Sequence, residues 1–543
     1  MRQNKRKRDK KSTAPGLLTI TSGLLDAAVC IYILLILTVM PFYNQEGYAH
    51  IGSDKSTFFQ KVSAGMLKTV IPLLILYIMI ELWIFWRQKR TFSELWIALK
   101  MKISLTDLFA GAYGISVLLS YAFSRYKRDA LWGAAGWYMG LYTQMMLVGT
   151  YFLISKCWKP KKWIFLMMLP ASAIVFFLGY LNRFDINPLR MQSYGSSFIS
   201  TIGNINWYCG YQVSVCFAGM VLFWRGESLK ILQKILLMLY ILIGFASLIT
   251  QGSDSGIAAM AAVFIVMFYM SASDGNRMCS FWQIMSLFGG ACLITYMIQT
   301  MTDWKINYYD SNIYFLLSLT FGLTVIAVSL TMLAVTGITV KKSSYPQKAW
   351  RVFAGIFIGM VVTIMSFYIG LLIVNTLYTG GIGILSGNRW FTFSDSWGSN
   401  RGATWKAGFL CFMEQDLLHK LVGVGPDALA AYIYSGGSAE LRDSLTEVFS
   451  SAMLTNAHNE WLTVLVNTGI LGCVSFVGMI MSAMVRYLRK EEGSLFSCAC
   501  GFCLLGYTVN NMFSFQQAMN AATIFVVLGI GEAFFTNRTS LSN

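Results

Sequence analysis

Ala457-His458-Asn459-Glu460-Trp461-Leu462 lies where the one long polar interval of this chain, within Asn388 to Gly472, gives way to an apolar run. A histidine there stands at the mouth of a membrane helix, with Arg401 and the turn Gly423-Val424-Gly425-Pro426 upstream. Polar residues gathered into one interval are where chemistry is expected, and the flanking apolar sequence reads as scaffold holding them at a membrane face.

The flanks decide the class. The chain has 543 residues, 56% of them hydrophobic and 12% charged, with a mean hydropathy of +0.57. A soluble domain is far less apolar and about twice as charged. These values specify an all-α, polytopic membrane protein. The net charge of +17 would suggest nucleic acid in a soluble chain, but the lysines and arginines lie mostly in short loops between apolar runs. That is the distribution of cytoplasmic loops, and no nucleic acid is needed to explain it. Cysteines fall mainly inside apolar runs, so small buried hydrophobes are expected rather than disulfides. Cys498-Ala-Cys500-Gly-Phe-Cys503 has the look of a metal cluster, yet its apolar setting predicts packing, and no metal site is expected.

At about 20 apolar residues per crossing, the spacing predicts roughly 12–14 transmembrane helices, from 16–41 through 130–154 and 460–485 to 519–535. The basic N-terminus, Met1 to Lys11, precedes a run too long for a cleaved signal and is placed in the cytoplasm. Alternation then puts the basic groups around Arg87, Lys156, Arg225, Lys341 and Arg486 on that same side. Residues 1–377 read as an N-terminal helix bundle, 378–459 as a large extracytoplasmic loop and 460–543 as C-terminal helices. Within the loop, Gly380-Gly381 is an exit from the membrane. Ser399-Asn400 can cap a helix from about Arg401 to Lys420, and a second helix runs from about Asp427 to Tyr434. Trp405, Phe409, Phe412, Leu417 and Leu418 give the first of these an apolar face suited to a membrane surface. The basic loop Ser124-Arg125-Tyr126-Lys127-Arg128 falls on the outer side, where it either snorkels to headgroups or serves an anionic site.

An enzyme outside the cytoplasm has no ATP and must use an activated substrate. A lipid-linked sugar diphosphate is one, and its transfer requires cations for the diphosphate and a base for the attacking hydroxyl. Arginine supplies a fixed fork of donors, and histidine, with an ordinary pKa of about 6.5, a neutral base. Arg401 and His458 are the candidates; taken alone, each is more often structural, and it is their arrangement that points to chemistry.

Together they resemble the O-antigen ligase and polymerase superfamily of bacterial membrane glycosyltransferases. The matching residues are Asn400-Arg401-x-x-x-Trp405, Gly423-Val424-Gly425-Pro426, and Ala457-His458-Asn459-x-x-Leu462-x-x-Leu465-x-x-x-Gly469-Ile470-Leu471-Gly472, with Gly203-Asn204-Ile205-Asn206 as a weaker fourth. The resemblance implies transfer of a glycan from undecaprenyl diphosphate to a hydroxyl of a polysaccharide, lipid or protein acceptor. It implies no metal or cofactor, and a place on the outer face of the bacterial cytoplasmic membrane. His458 takes the role of the base and Arg401 that of the loop arginine. Many members carry a second arginine where this chain reads Ser253-Asp254-Ser255, and Arg190 is the nearest substitute by position. Asp254, Asn206, Asn459 and Glu460 become candidate sugar or acceptor contacts, although the paired asparagines Asn204 and Asn206, and Asp254, also suit helix caps. The alternative from another class is a transporter or flippase of lipid-linked oligosaccharides, which shares the helix count but is expected to carry charges near the bilayer midplane. An inactive scaffold is a third reading, kept open by Asp254.

Overall fold

Apolar runs of this length bury their backbone polar groups in their own hydrogen bonds, so they fold as helices wherever lipid is the solvent. The computed structural model describes residues 13–89, 103–191, 197–226, 229–306, 315–378, 382–385, 387–388, 390–449, 453–489 and 494–539. The N-terminal basic stretch Met1 to Lys11, along with Gly380 and Gly381, lies outside them. Among the described residues everything regular is helical except one antiparallel pair, Phe198–Ile199 with Gly203–Asn204. Among the described residues eleven helices are long and apolar enough to cross a membrane, and the chain is an all-α polytopic membrane protein.

Two of the expected crossings, Leu141–Cys157 and Leu495–Asn510, have only 17 and 16 residues. A third, Ile205–Arg225, carries Asn206, Gln212 and Ser214 and is buried without a break from Tyr208 to Trp224. It can hold those polar groups because protein surrounds it: Gln212 Nε2 donates to the Gly244 carbonyl at 3.0 Å. With Leu495–Asn510 and the wholly buried Ala518–Thr536 it makes up the centre of the bundle. Gln347–Leu377 does the opposite, exposing Val352, Phe353, Ile356, Met360, Ile364 and Phe367, the surface of a helix that faces lipid.

The expected helix 130–154 is corrected. The chain forms a short helix at Lys127–Trp132, a loop, and then Leu141–Cys157. Gly133 and Gly136 adopt φ of 89° and 94°, and the loop's amides at Ala134 and Met139 donate to Asp427 Oδ2 at 2.8 and 3.0 Å. A distant carboxylate thus satisfies donors that a helix would have used.

The 378–459 interval is richer in helix than expected: Trp397–Glu414, Leu417–Val422, Leu429–Ser435 and Ala439–Phe449. The last falls in a stretch read only as a polar return. Among its described side chains Leu441 and Leu445, four residues apart, are buried, the spacing of one helical face. Along Trp397–Glu414 the inward face is small, Gly402, Ala403, Ala407, Gly408 and Cys411, while Phe409, Leu410 and Met413 are exposed. Small residues let this helix lie close on Glu460–Leu488: a Cβ at Gly408 would come within 2.8 Å of Leu462.

Contacts sort the loops to two ends. At one, Tyr48 bonds the Ser200 carbonyl, Arg183 that of Gln251, Ser253 the Asn206 side chain and Arg401 the Phe513 carbonyl. At the other are the ion pairs Lys161–Asp26, Lys156–Asp107 and Arg486–Glu532. The polar interval caps the first end.

Candidate functional site

Gly423-Val424-Gly425-Pro426 is a joint between the cap and the bundle. Helix Glu460–Leu488 breaks at Gly469, whose φ of 68° and ψ of −172° lie outside the helical region. The break frees carbonyls upstream, which need donors. Val424 N reaches the Val466 carbonyl at 3.2 Å and Gly425 N that of Asn467 at 3.0 Å, with Ser120 Oγ on the latter at 2.6 Å. Backbones approach so closely that a Cβ on Gly423 would lie 2.1 Å from the Asn467 oxygen, and one on Gly469 2.3 Å from the Leu421 oxygen. Both glycines also have positive φ, so no other residue fits without strain. These motif residues set the height at which the cap sits.

That joint positions the turn before the helix. Asn456 Oδ1 accepts from His458 N at 2.9 Å, and Asn459 Oδ1 caps the helix by accepting from Leu462 N at 3.1 Å. His458 itself has φ of 48°, a left-handed conformation unusual outside glycine that is held by this cap. Its half-buried ring meets Phe515 edge-on with centroids 5.0 Å apart. Neither ring nitrogen bonds a described residue. Burial lowers its pKa to about 4, with the Arg401 charge adding to the effect. The imidazole is neutral at pH 7 and both nitrogens remain uncommitted.

Arg401 is fixed from two sides. Nε donates to the Phe513 carbonyl at 2.9 Å and Nη1 to the Gly398 carbonyl at 2.8 Å. Gly398, Ser399 and Asn400 all adopt left-handed φ, so the expected Ser399-Asn400 cap is replaced by a kink that turns a carbonyl toward the guanidinium. Two carbonyls orient the fork and leave Nη2 without a described partner. On the same helix Trp397 and Trp405 pack with their indoles 5.4 Å apart, and Trp405 stacks at 5.9 Å on Phe513, whose carbonyl holds Arg401. Burial pulls the Arg401 pKa down and the Asp254 carboxylate opposes it.

Asp254 therefore stands within the field of Arg401, the place for which the family resemblance implies a second arginine. It opens helix Asp254–Ser271, where a carboxylate is favoured by the helix dipole. Asn204, rather than Asn206, caps Ile205–Arg225, which leaves Asn206 Oδ1 to accept from Ser253 Oγ at 3.2 Å. Asn206, Ser253, Asp254, Arg401 and His458 are thus brought to one mouth. Arg190 is not drawn into it: the side chain is exposed and bonds no described residue. Arg183 is buried and reaches the Gln251 carbonyl, so it braces the turn ahead of Asp254.

Glu460 points inward. Its Oε2 accepts from Gln516 N at 2.5 Å, and with Asp427, Tyr113, Gln144, Asn467 and Gln516 it lines a cavity of about 30 Å³, room for one or two waters. Asn467 Oδ1 and Gln516 Oε1 accept no hydrogen bond among the described residues. Asn459 is occupied by its cap and Glu460 by the interior, so neither presents its side chain to the mouth as His458 does.

The loop 511–517 between the last two helices was missed from sequence. Phe513 holds Arg401, Phe515 holds His458, and Trp137 packs edge-on against both Phe515 and Trp207, at 4.5 and 5.8 Å. The available signal was the aromatic and amide run Phe513-Ser-Phe515-Gln-Gln517 between two apolar segments. Cys498, Cys500 and Cys503 are buried free thiols. Among the described residues no group of three or more His, Cys, Asp or Glu is placed to hold a metal ion. No family model and no curated protein sequence matches this chain.

Proposed function

We propose that this protein is a membrane glycosyltransferase of the O-antigen ligase and polymerase type, moving a glycan from undecaprenyl diphosphate to an acceptor hydroxyl on the outer face of the bacterial cytoplasmic membrane. One observation carries the reading: an imidazole with both nitrogens free stands in the field of an arginine whose fork is oriented by two backbone carbonyls. A pre-oriented cation is what a diphosphate leaving group requires, since charge develops on it as the glycosidic bond breaks. A neutral imidazole can take the proton from the acceptor oxygen. The aromatic wall of Trp397, Trp405 and Phe513 suits a sugar face or the start of an isoprenoid tail.

In the reaction the acceptor oxygen attacks the anomeric carbon, its proton passes to His458, and the bond to the diphosphate oxygen breaks with both electrons. Donor binding has a second consequence. Anionic diphosphate beside Arg401 offsets the charge that depresses the His458 pKa, so the base strengthens when the donor is in place. Asp254, Asn206 and Ser253 are the sugar or acceptor contacts of this reading.

Comparison of lipid-linked intermediates in His458→Ala and wild-type cells tests it. Loss of transfer with normal membrane insertion is expected. Accumulated single repeat units identify a polymerase and accumulated long lipid-linked polymer a ligase; unchanged glycan overturns the reading.

A further inference from the structure

At the far end of the Trp397–Glu414 helix a second cavity opens, of about 230 Å³, lined by Arg125, Tyr126, Glu414, Gln415, Asp416 and Tyr432. Its polar groups are disposed in a particular way. Gln415 is 5% exposed, and its Oε1 accepts no hydrogen bond among the described residues, although its Nε2 lies 3.4 Å from the Val466 carbonyl. Arg125 on the rim is exposed and bonds no described residue. Glu414 is engaged by Ser438 N and Oγ, and Asp416 by the backbone and ring of His419. A carboxylate with a single donor set retains lone pairs for more.

Three ligand classes can be weighed against this lining. An apolar occupant would leave the buried Gln415 oxygen without a donor, which is costly. An anion meets two carboxylates against one arginine and His419, whose ring is already paired with Asp416. A polyhydroxylated ligand donates to the amide and carboxylate oxygens and accepts from the guanidinium, while its C–H faces lie on the Tyr126 and Tyr432 rings. We propose that this cavity is a saccharide subsite that binds uncharged sugar residues of the glycan. Only the identity of that glycan rests on the transferase reading.

The two sites share a helix. Arg401 and Glu414 are thirteen positions apart on it, which at 1.5 Å per residue is about 20 Å. A polymer with its reactive end at His458 can therefore be held by residues several sugars away, and the rigid helix sets that spacing.

The test is direct binding to the purified full chain in detergent. The probe is a size series of oligosaccharides released by mild acid from the surface polysaccharide of the producing cell, with saturation-transfer NMR as the readout. Saturable binding is expected in wild type and in His458→Ala, with at least a tenfold rise in Kd in Arg125→Ala and Tyr432→Leu. Arg125 is exposed and bonds no described residue, and an unchanged Tm of Arg125→Ala checks that the fold is intact. No binding to wild type, or equal binding by all four chains, overturns the subsite. Binding that weakens in the two cavity variants while His458→Ala still transfers glycan upholds the subsite and refutes the transferase site. Loss of transfer in His458→Ala with cavity variants that bind normally does the reverse.

Discussion

If His458 is the base of the proposed transfer, its depressed pKa sets where activity fails in acid. A solvent-exposed histidine would lose its neutral form near pH 6.5; burial and the Arg401 charge bring His458 to about 4. In the free enzyme the acid limb of kcat/KM is therefore expected with its midpoint near pH 4, and at pH 7 only about one imidazole in a thousand is protonated. The limb of kcat reports the donor-bound enzyme and is expected above that midpoint, because the diphosphate offsets the Arg401 charge. Arg401→Gln removes the smaller of the two causes, so its residual kcat/KM limb moves up but stays below 6.5 while burial persists. The assay is transfer from lipid-linked repeat units by purified protein in liposomes between pH 3.5 and 8. Preincubation at each pH followed by assay at pH 7 separates protonation from unfolding. A wild-type limb at 6.5 that Arg401→Gln leaves unmoved would mean that the imidazole is neither buried in the working enzyme nor beside this arginine, and the assignment of the base would fall with it.

Arg401→Lys keeps the charge but loses the bonds to Phe513 and Gly398, each worth about 1.5–3 kcal/mol for a charged donor; glycan transfer is expected to fall roughly 30-fold or more, and wild-type rates would remove the oriented fork from the mechanism. Gly469→Ala places a Cβ 2.3 Å from the Leu421 oxygen at a φ of 68°, and a destabilisation of about 2 kcal/mol or more is expected as a lowered Tm and reduced yield. Burial pushes the Asp427 carboxyl up to about 7 from an ordinary 3.8, so the folded chain binds this proton more tightly than the unfolded one. That contribution is whole below pH 4 and is lost as pH rises through 7, so Tm falls across this window in wild type; Asp427→Asn should flatten the profile. Transfer is expected to be unchanged by EDTA, and inhibition reversed by added divalent cation would move the chemistry to a metal near Asp254.

The all-α membrane class and the polar interval were legible because both are carried by composition over long windows, where lipid leaves the chain no alternative to helix. The count of roughly 12–14 crossings, at about 20 residues each, exceeded the eleven described helices long and apolar enough to cross. The failures came where tertiary contacts overrode local pattern. Residues 133–140 look like continuing helix until the Asp427 carboxylate, nearly 300 positions away, takes their amides. Ser399-Asn400 looks like a cap until a left-handed turn is needed to aim the Gly398 carbonyl at Arg401.

The motif itself divides into two kinds of residue, which sequence cannot separate. Gly423 and Gly469 are required by close backbone approach and positive φ, and Gly425 by its φ of 134° and the nearness of the Ser124 and Ala130 side chains: any glycine-tolerant joint between a cap and a broken helix would need them, whatever the cap does. Asn459 is likewise spent on its helix and Glu460 on the interior. His458 and Arg401 are different. His458 takes a left-handed backbone, yet no described residue bonds its ring; Arg401 has two donors consumed in orienting the rest. A strained histidine with an idle ring is hard to explain by packing, and a guanidinium held by two backbone carbonyls is poorly explained by stability, because a buried charge is costly to hold there. Both observations make sense if a third party, anionic on one side and bearing a hydroxyl on the other, completes the arrangement.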